Sequence, residues 1–289
     1  MSRNIKLGIS TCPNDTFAFH AIMNRAIDLQ GLEFDIELLD VQQLNENLLA
    51  GCYDVAKASF HTALLLGSEI VILSSGSALG FGVGPLLLSR HKGLSPDNFR
   101  TVHSRQPVVL CPGRTTTATL LYRLAFGDDH EMKQVVFSEI MPALQAGNAD
   151  YGVCIHEGRF TWQQSGLDCI ADLGQWWETT TGSALPLGGI VGRRSLGDEL
   201  LAKIQRIIRA SIEYGLQHRD ATLPTMRKYA TEFGDDVLFA HVDLYVNDYT
   251  IDLGEHGRHA LRVLSEMAVT MPEFADEGHS TELIEVMPG

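Results

Sequence analysis

Along this chain the apolar positions switch repeatedly between the two-residue period of a strand and the 3.6-residue period of a helix. IKLGIS (5–10) predicts a first strand, and Phe17, Phe19, Ala21, Ile22 and Ala26 predict an amphipathic helix after the loop TCPND. FDIELLDV predicts a second strand, QQLNENLLAG a short helix ending at Gly51, and Val55 to Phe60 a third strand. EIVILSSGSALGFGVGPLLLSR (69–90) reads as a strand, a Ser/Gly-rich segment and another apolar run. A fresh α/β series is expected from about Thr101, with QPVVLCPG as a strand and RTTTATLLYRLAF as a helix. KQVVFSEIMPALQAGNADYGVCIH then predicts a strand, a helix ending near Gly147 and a strand that stops at His156. After LDCIADLG comes QWWETTTGSALPLGG, read as a polar aromatic loop, and an apolar strand around Gly189 to Gly192. From Gly197 the pattern is mainly helical, in DELLAKIQRIIRASIEYGLQHR, PTMRKYATEF, DDVLFAHVDLYV and a stretch from about Glu255 to Ala268. The acidic terminal segment FADEGHSTELIEVMPG is expected to be loosely held.

Two βα series, a glycine-rich crossing near residue 85 and a return near residue 190 predict an α/β fold of two lobes with a ligand cleft between them. The expected division is a larger discontinuous domain, 1–89 plus 191–289, and a smaller inserted domain, 90–190. A length of 289 residues suits two such units. Gly76, Gly80, Gly82 and Gly84 form no phosphate-binding fingerprint, because another strand rather than a helix follows them. They fit bends and close backbone approach instead.

A formal charge of −14 argues against a nucleic-acid partner, which demands a clustered basic surface, and does not favour an anionic membrane. MSRNIKLGISTCPNDTF carries no apolar core of the secretory type, so a cytoplasmic location is expected. Five cysteines, Cys12, Cys52, Cys111, Cys154 and Cys169, lack CxxC spacing and fit reduced, mostly buried thiols. His256 and His259 have no accompanying ligand set, so a solvated helix face is the better reading than a metal site.

Four places carry candidate chemistry. Asn14 and Asp15 sit where a helix cap belongs, and the adjoining N–H groups offer an anion site; capping alone is the plainer alternative. Lys57 and Ser59, flanking Ala58, project to one face of an apolar strand, where the lysine needs solvent, an acidic partner or a ligand. Thr115, Thr116 and Thr117 open a helix whose start is a second anion or carboxylate site, or a redundant cap. His156 leaves a strand end for the loop Glu157, Gly158 and Arg159, which is either a general base or an ordinary loop histidine. Glu157 and Arg159 are assigned to loop structure. Trp176 and Trp177 wall a planar pocket or, more simply, pack in the core.

STCPNDTFAFHA, the AKAS strand, SGSALGFGVGPLL, PGRTTTATLL, IHEGRFTW, DLGQWWETTTGSALPLGG and HVDLYVND, in that order, resemble the 1,4-dihydroxy-6-naphthoate synthases of the futalosine route to menaquinone. The resemblance spans Lys6 to about Gly254. It implies a type II periplasmic-binding-protein-like fold used as a lyase, without metal or organic cofactor, on cyclic dehypoxanthinylfutalosine, with release of a dihydroxyacetone fragment. By the same resemblance His156 falls on the family's proton acceptor. Lys57, Ala58 and Ser59, and the helix start Thr116, Thr117, Ala118 and Thr119, fall on substrate-contacting segments. The substrate carboxylate is expected at the threonine helix start, with Ser59 and Asn14 as polar partners and Asp15 beside them.

Two other classes share the architecture. One is a solute-binding protein for a small carboxylate, and the other is a sister chorismate dehydratase, which STCPNDTF and IHEGRF fit poorly. A homodimer through the helical C-terminal third stays open.

Overall fold

The structure, a computed structural model, describes residues 3–100, 106–156, 158–230, 234–275 and 285–289. The expected start near Thr101, Glu157 and the middle of the acidic terminal segment lie outside the described residues. Among the described residues no helix is long and apolar enough to cross a membrane.

The chain begins with β1 (Arg3–Ser10), α1 (Pro13–Ala18), α2 (His20–Met23), β2 (Leu32–Leu39) and α3 (Val41–Leu49). It continues through β3 (Val55–Ser59), α4 (Phe60–Leu66), β4 (Ile70–Ile72) and β5 (Ala78–Gly80). A second series runs β6 (Leu86–Ser89), β7 (Val108–Cys111), α5 (Thr117–Phe126), β8 (Glu131–Gln134) and α6 (Phe137–Ala146). It closes with β9 (Tyr151–Cys154), α7 (Gly158–Thr161), β10 (Asp168–Asp172) and α8 (Leu173–Thr181). β11 (Leu185–Arg193) returns, and α9 (Asp198–Gln217), α10 (Arg219–Tyr229), α11 (Asp235–Tyr245), α12 (Asp248–Ile251), α13 (Gly254–Ala268) and α14 (Pro272–Ala275) follow.

Two compact units result, Met1–Gly80 with Pro186–Gly289, and Phe81–Leu185. β6 pairs with β9 and β10 and lies in the second unit. In the first unit the strand order is β2-β1-β3-β11-β4, with β5 against β11. β1, β2 and β3 are parallel, and β11 runs antiparallel to β3 and β4. Ile5, Leu7 and Ile9 of β1 are fully buried, as are Ile204, Ile207, Ile208 and Ile212 of α9, whose three- and four-residue spacing makes one apolar face. The end of the acidic terminal segment is not loose: Met287 N–H donates to the Ile72 carbonyl at 2.8 Å and the Ile72 N–H to Glu285 at 2.9 Å.

In the second unit the order is β10-β6-β9-β7-β8, with β7, β8 and β9 parallel and β6 antiparallel to both β9 and β10. Leu86, Leu88, Leu110, Ile140 and Leu144 form its core. QWWETTT is not a loop but α8. The Asp172 carboxylate accepts from Gly174 N–H (2.9 Å) and Gln175 N–H (3.1 Å), and this cap outweighs the weak helix propensity of the threonine run. Trp177 is fully buried and donates its indole N–H to the Ala184 carbonyl (3.1 Å), so it is a core residue. Gly84 and Gly174 answer the question of the glycine-rich segment, because a Cβ on Gly84 would lie 2.2 Å from the Gly174 backbone.

Candidate active site

Parallel strands deliver their following loops to one sheet edge, and ligands of open α/β sheets gather at that edge. In the first unit β1 ends at Ser10 and β3 at Ser59, and the candidate residues sit just there. The cap of α1 is Cys12, with Pro13 at the first helical position, so Asn14 and Asp15 lie inside the first turn rather than capping it. Asp15 turns its carboxylate into the protein. Oδ2 accepts from the Ser10 hydroxyl (2.6 Å), and Oδ1 accepts from the Asn14 amide (3.0 Å) and lies 3.0 Å from Lys57 Nζ. Lys57 Nζ also donates to the Gly76 carbonyl at 3.2 Å. The start of α1 is therefore already supplied with an anion, and Lys57 with a counter-charge.

Ser59 is held separately. Asn45 Nδ2 donates to its hydroxyl and its own N–H donates to Asn45 Oδ1, both at 3.0 Å. Asn14 Oδ1 in turn lies 3.0 Å from His241 Nε2. Asn45, in α3, and His241, in α11, were invisible to the sequence reading because nothing local in either stretch marks a polar contact with these strands. Ser77 adds a hydroxyl that is 1% exposed and has no hydrogen-bond partner among the described residues. The one signal for it was its place in the Ser/Gly-rich run.

In the second unit β7 and β9 are neighbours, and their carboxyl ends carry the threonine helix start and His156 respectively. α5 is capped by Thr116, whose hydroxyl accepts from Thr119 N–H at 3.3 Å. The hydroxyls of Thr116 and Thr119 both donate to the Gly113 carbonyl, at 2.8 and 2.7 Å. These two side chains thus build the turn, while the first-turn N–H groups and the positive end of the helix remain the feature suited to a carboxylate. Thr117 and Ala118 are buried in that turn. Burial pushes the nearby Cys111 thiol up to about 12, against the pull of a hydrogen bond with Thr119.

His156 has φ +55°, a left-handed conformation that costs a side-chain-bearing residue about 1 kcal/mol. The turn is tightened by Gly158 N–H to the Ile155 carbonyl and Arg159 N–H to the His156 carbonyl, each 3.2 Å. Arg159 is built into the loop wall, donating to the Gly84 carbonyl and to Asp172, both at 2.7 Å. The imidazole, half-buried, meets the ring of Phe137 edge to face, with centroids 4.8 Å apart and planes at 70°. Phe137 was also missed, for it opens α6 in what reads locally as an apolar run.

The profile of the menaquinone biosynthesis family matches residues 5–270. The chain belongs to that family. Among its relatives is the 1,4-dihydroxy-6-naphthoate synthase of Thermus thermophilus, 38% identical over 257 residues, which span 89% of this chain and 91% of the relative. The enzyme of the same name from Streptomyces coelicolor is 37% identical over 265 residues, 90% of this chain and 91% of its own. A crystal structure of an Archaeoglobus fulgidus protein superposes with a TM-score of 0.84 at 31% identity, covering 92% of this chain and 97% of that one. The alkanesulfonate-binding protein SsuA of Xanthomonas axonopodis pv. citri has a TM-score of 0.69 at 11% identity, covering 92% of each chain. At that identity the likeness is one of fold, so the family shares the architecture of periplasmic binding proteins while its named members are enzymes.

Proposed function

We propose that this protein converts cyclic dehypoxanthinylfutalosine to 1,4-dihydroxy-6-naphthoate, releasing a dihydroxyacetone fragment, with His156 as general base. The observation that carries the reading is the placement of His156 at the carboxyl end of β9, beside the strand whose carboxyl end opens α5. Taking a proton from a carbon beside a carbonyl calls for a base whose pKa lies near working pH, which imidazole provides. Collapse of the resulting anion breaks the bond to the sugar-derived fragment, and the gain of an aromatic ring drives the step forward.

The substrate carboxylate is assigned to the start of α5, at Thr116, Thr117, Ala118 and Thr119. The internal pairing of Asp15 with Lys57 supports this choice, since a second carboxylate next to Asp15 would be repelled. Lys57, Ala58 and Ser59, with Asn14, are proposed as the first unit's segments for the substrate's uncharged polar groups. A cytoplasmic location belongs to the same proposal, and five cysteines without CxxC spacing agree with a reducing compartment.

The test is incubation with cyclic dehypoxanthinylfutalosine while naphthoate absorbance is followed. Product formation by the wild type and its loss in His156→Ala are expected. A silent wild type overturns the function, and full turnover by His156→Ala overturns the role of the histidine.

A further inference from the structure

An imidazole that removes a carbon-bound proton must point its nitrogen at that proton, and a side chain on a two-residue exit from a strand has rotamers to choose from. The aromatic contact does supply a physical restraint, as the Phe137 ring stands at 70° to the imidazole at a centroid distance of 4.8 Å, within the range of a specific edge-to-face pair.

How the two rings meet follows from the strand. Gly152, in the middle of β9, faces α6, and a Cβ there would lie 2.4 Å from Ile140 Cγ2 and 3.1 Å from Leu144 Cδ1. The missing side chain lets α6 settle directly on β9. That brings the first residue of the helix, Phe137, to the level where the strand has ended and His156 begins. Farther along, Met141 of α6 lies near the Cβ position of Gly158, so the helix flanks the loop on the other side of His156 as well. Phe137 is itself only half-buried, and Val136 before it is 48% exposed. Phe137 is not one of the residues that form or line the core of its unit.

We infer that Phe137 is a positioning residue for His156, its ring holding the imidazole in the orientation used for proton abstraction. The inference rests on the reading of His156 as the base. Among the described residues, the charged side chains on the elements flanking the ring are Glu139 in the first turn of α6 and Arg159 in α7, and Arg159 is paired with Asp172.

Steady-state kinetics of Phe137→Leu and Phe137→Tyr test it. Leucine keeps the apolar bulk and loses the planar ring, whereas tyrosine keeps the ring. The expected result for Phe137→Leu is a kcat lowered about tenfold or more with KM within about twofold, since a misaimed base slows the chemical step without weakening binding. Phe137→Tyr is expected to recover most of kcat. A kcat for Phe137→Leu within twofold of wild type, or a Phe137→Tyr variant as slow as Phe137→Leu, overturns the inference. Should the wild type prove inactive on this substrate, the function has failed, and NMR decides the positioning alone. Nuclear Overhauser contacts from the His156 ring to Phe137 and a single ring conformer in the wild type, giving way to several in Phe137→Leu, support it. An unchanged single conformer overturns it.

Discussion

Lys57 and Asp15 form an ion pair 3.0 Å long, with side chains only 8% and 4% exposed. Removing either partner strands a charge away from water, which typically destabilises a protein by about 3–5 kcal/mol. Lys57→Met and Asp15→Asn are each expected to lower the free energy of unfolding by an amount of that order. The double variant is expected to lose clearly less than the sum. Denaturant titration of the four proteins checks this, and strict additivity would show that the two groups do not act as a pair.

His156 stands at φ +55°, where glycine and alanine differ in backbone strain. Glycine relaxes a left-handed residue and alanine does not, so His156→Gly is expected to be the more stable by about 1 kcal/mol, reduced by glycine's greater freedom in the unfolded chain. Both lose turnover. Thermal unfolding orders them, and an alanine variant at least as stable as the glycine one contradicts the backbone geometry.

Stability is expected to fall below neutral pH for a reason located in His130 and His20. Burial holds both imidazoles below their ordinary value of 6.5, and for His130 the Arg100 guanidinium acts in the same direction. His130 Nδ1 lies 2.8 Å from the Tyr122 hydroxyl. The unfolded chain therefore takes up protons first: the contribution is complete above 6.5 and is lost as pH falls through the lower folded values. His130→Gln is expected to flatten the slope of unfolding free energy between pH 7 and 5. An unchanged slope would assign the dependence elsewhere.

Thiol labelling has a definite expected order. Cys52 is exposed, Cys111 is fully buried with its thiol raised to about 12, and burial raises Cys169 to about 11. Brief treatment with iodoacetamide followed by peptide mass spectrometry is expected to find Cys52 modified first and Cys111 last.

The alternation of β1 and β9 was legible because each strand's apolar face is written locally, and so was the abrupt stop that delivers His156 to a loop. The threonine helix start was legible for the same reason, and the observed cap, Thr116, is the middle of the three threonines expected there. What stayed hidden depends on distance along the chain. His241 is 227 positions from Asn14, and no local pattern announces a hydrogen bond across that interval. α8 was hidden differently: Thr179, Thr180 and Thr181 argue against a helix, and the decision lies with the Asp172 carboxylate and a tryptophan that had to be buried. Likewise the inward turn of Asp15 could not be read without knowing that Lys57 lies on the neighbouring strand.

β11 has a bearing on how this protein is made. It lies between β3 and β4, and Ser59 faces Gly188 across the ladder, 129 positions later (188 − 59). A chain leaving the ribosome has therefore already emitted all of Phe81–Leu185 before the strand that completes the first sheet exists. Domains generally fold in the order of synthesis. Here the sheet that starts first is closed last, and until residue 193 emerges β3 and β4 both stand as open edges that a chaperone, or a neighbouring nascent chain, can reach.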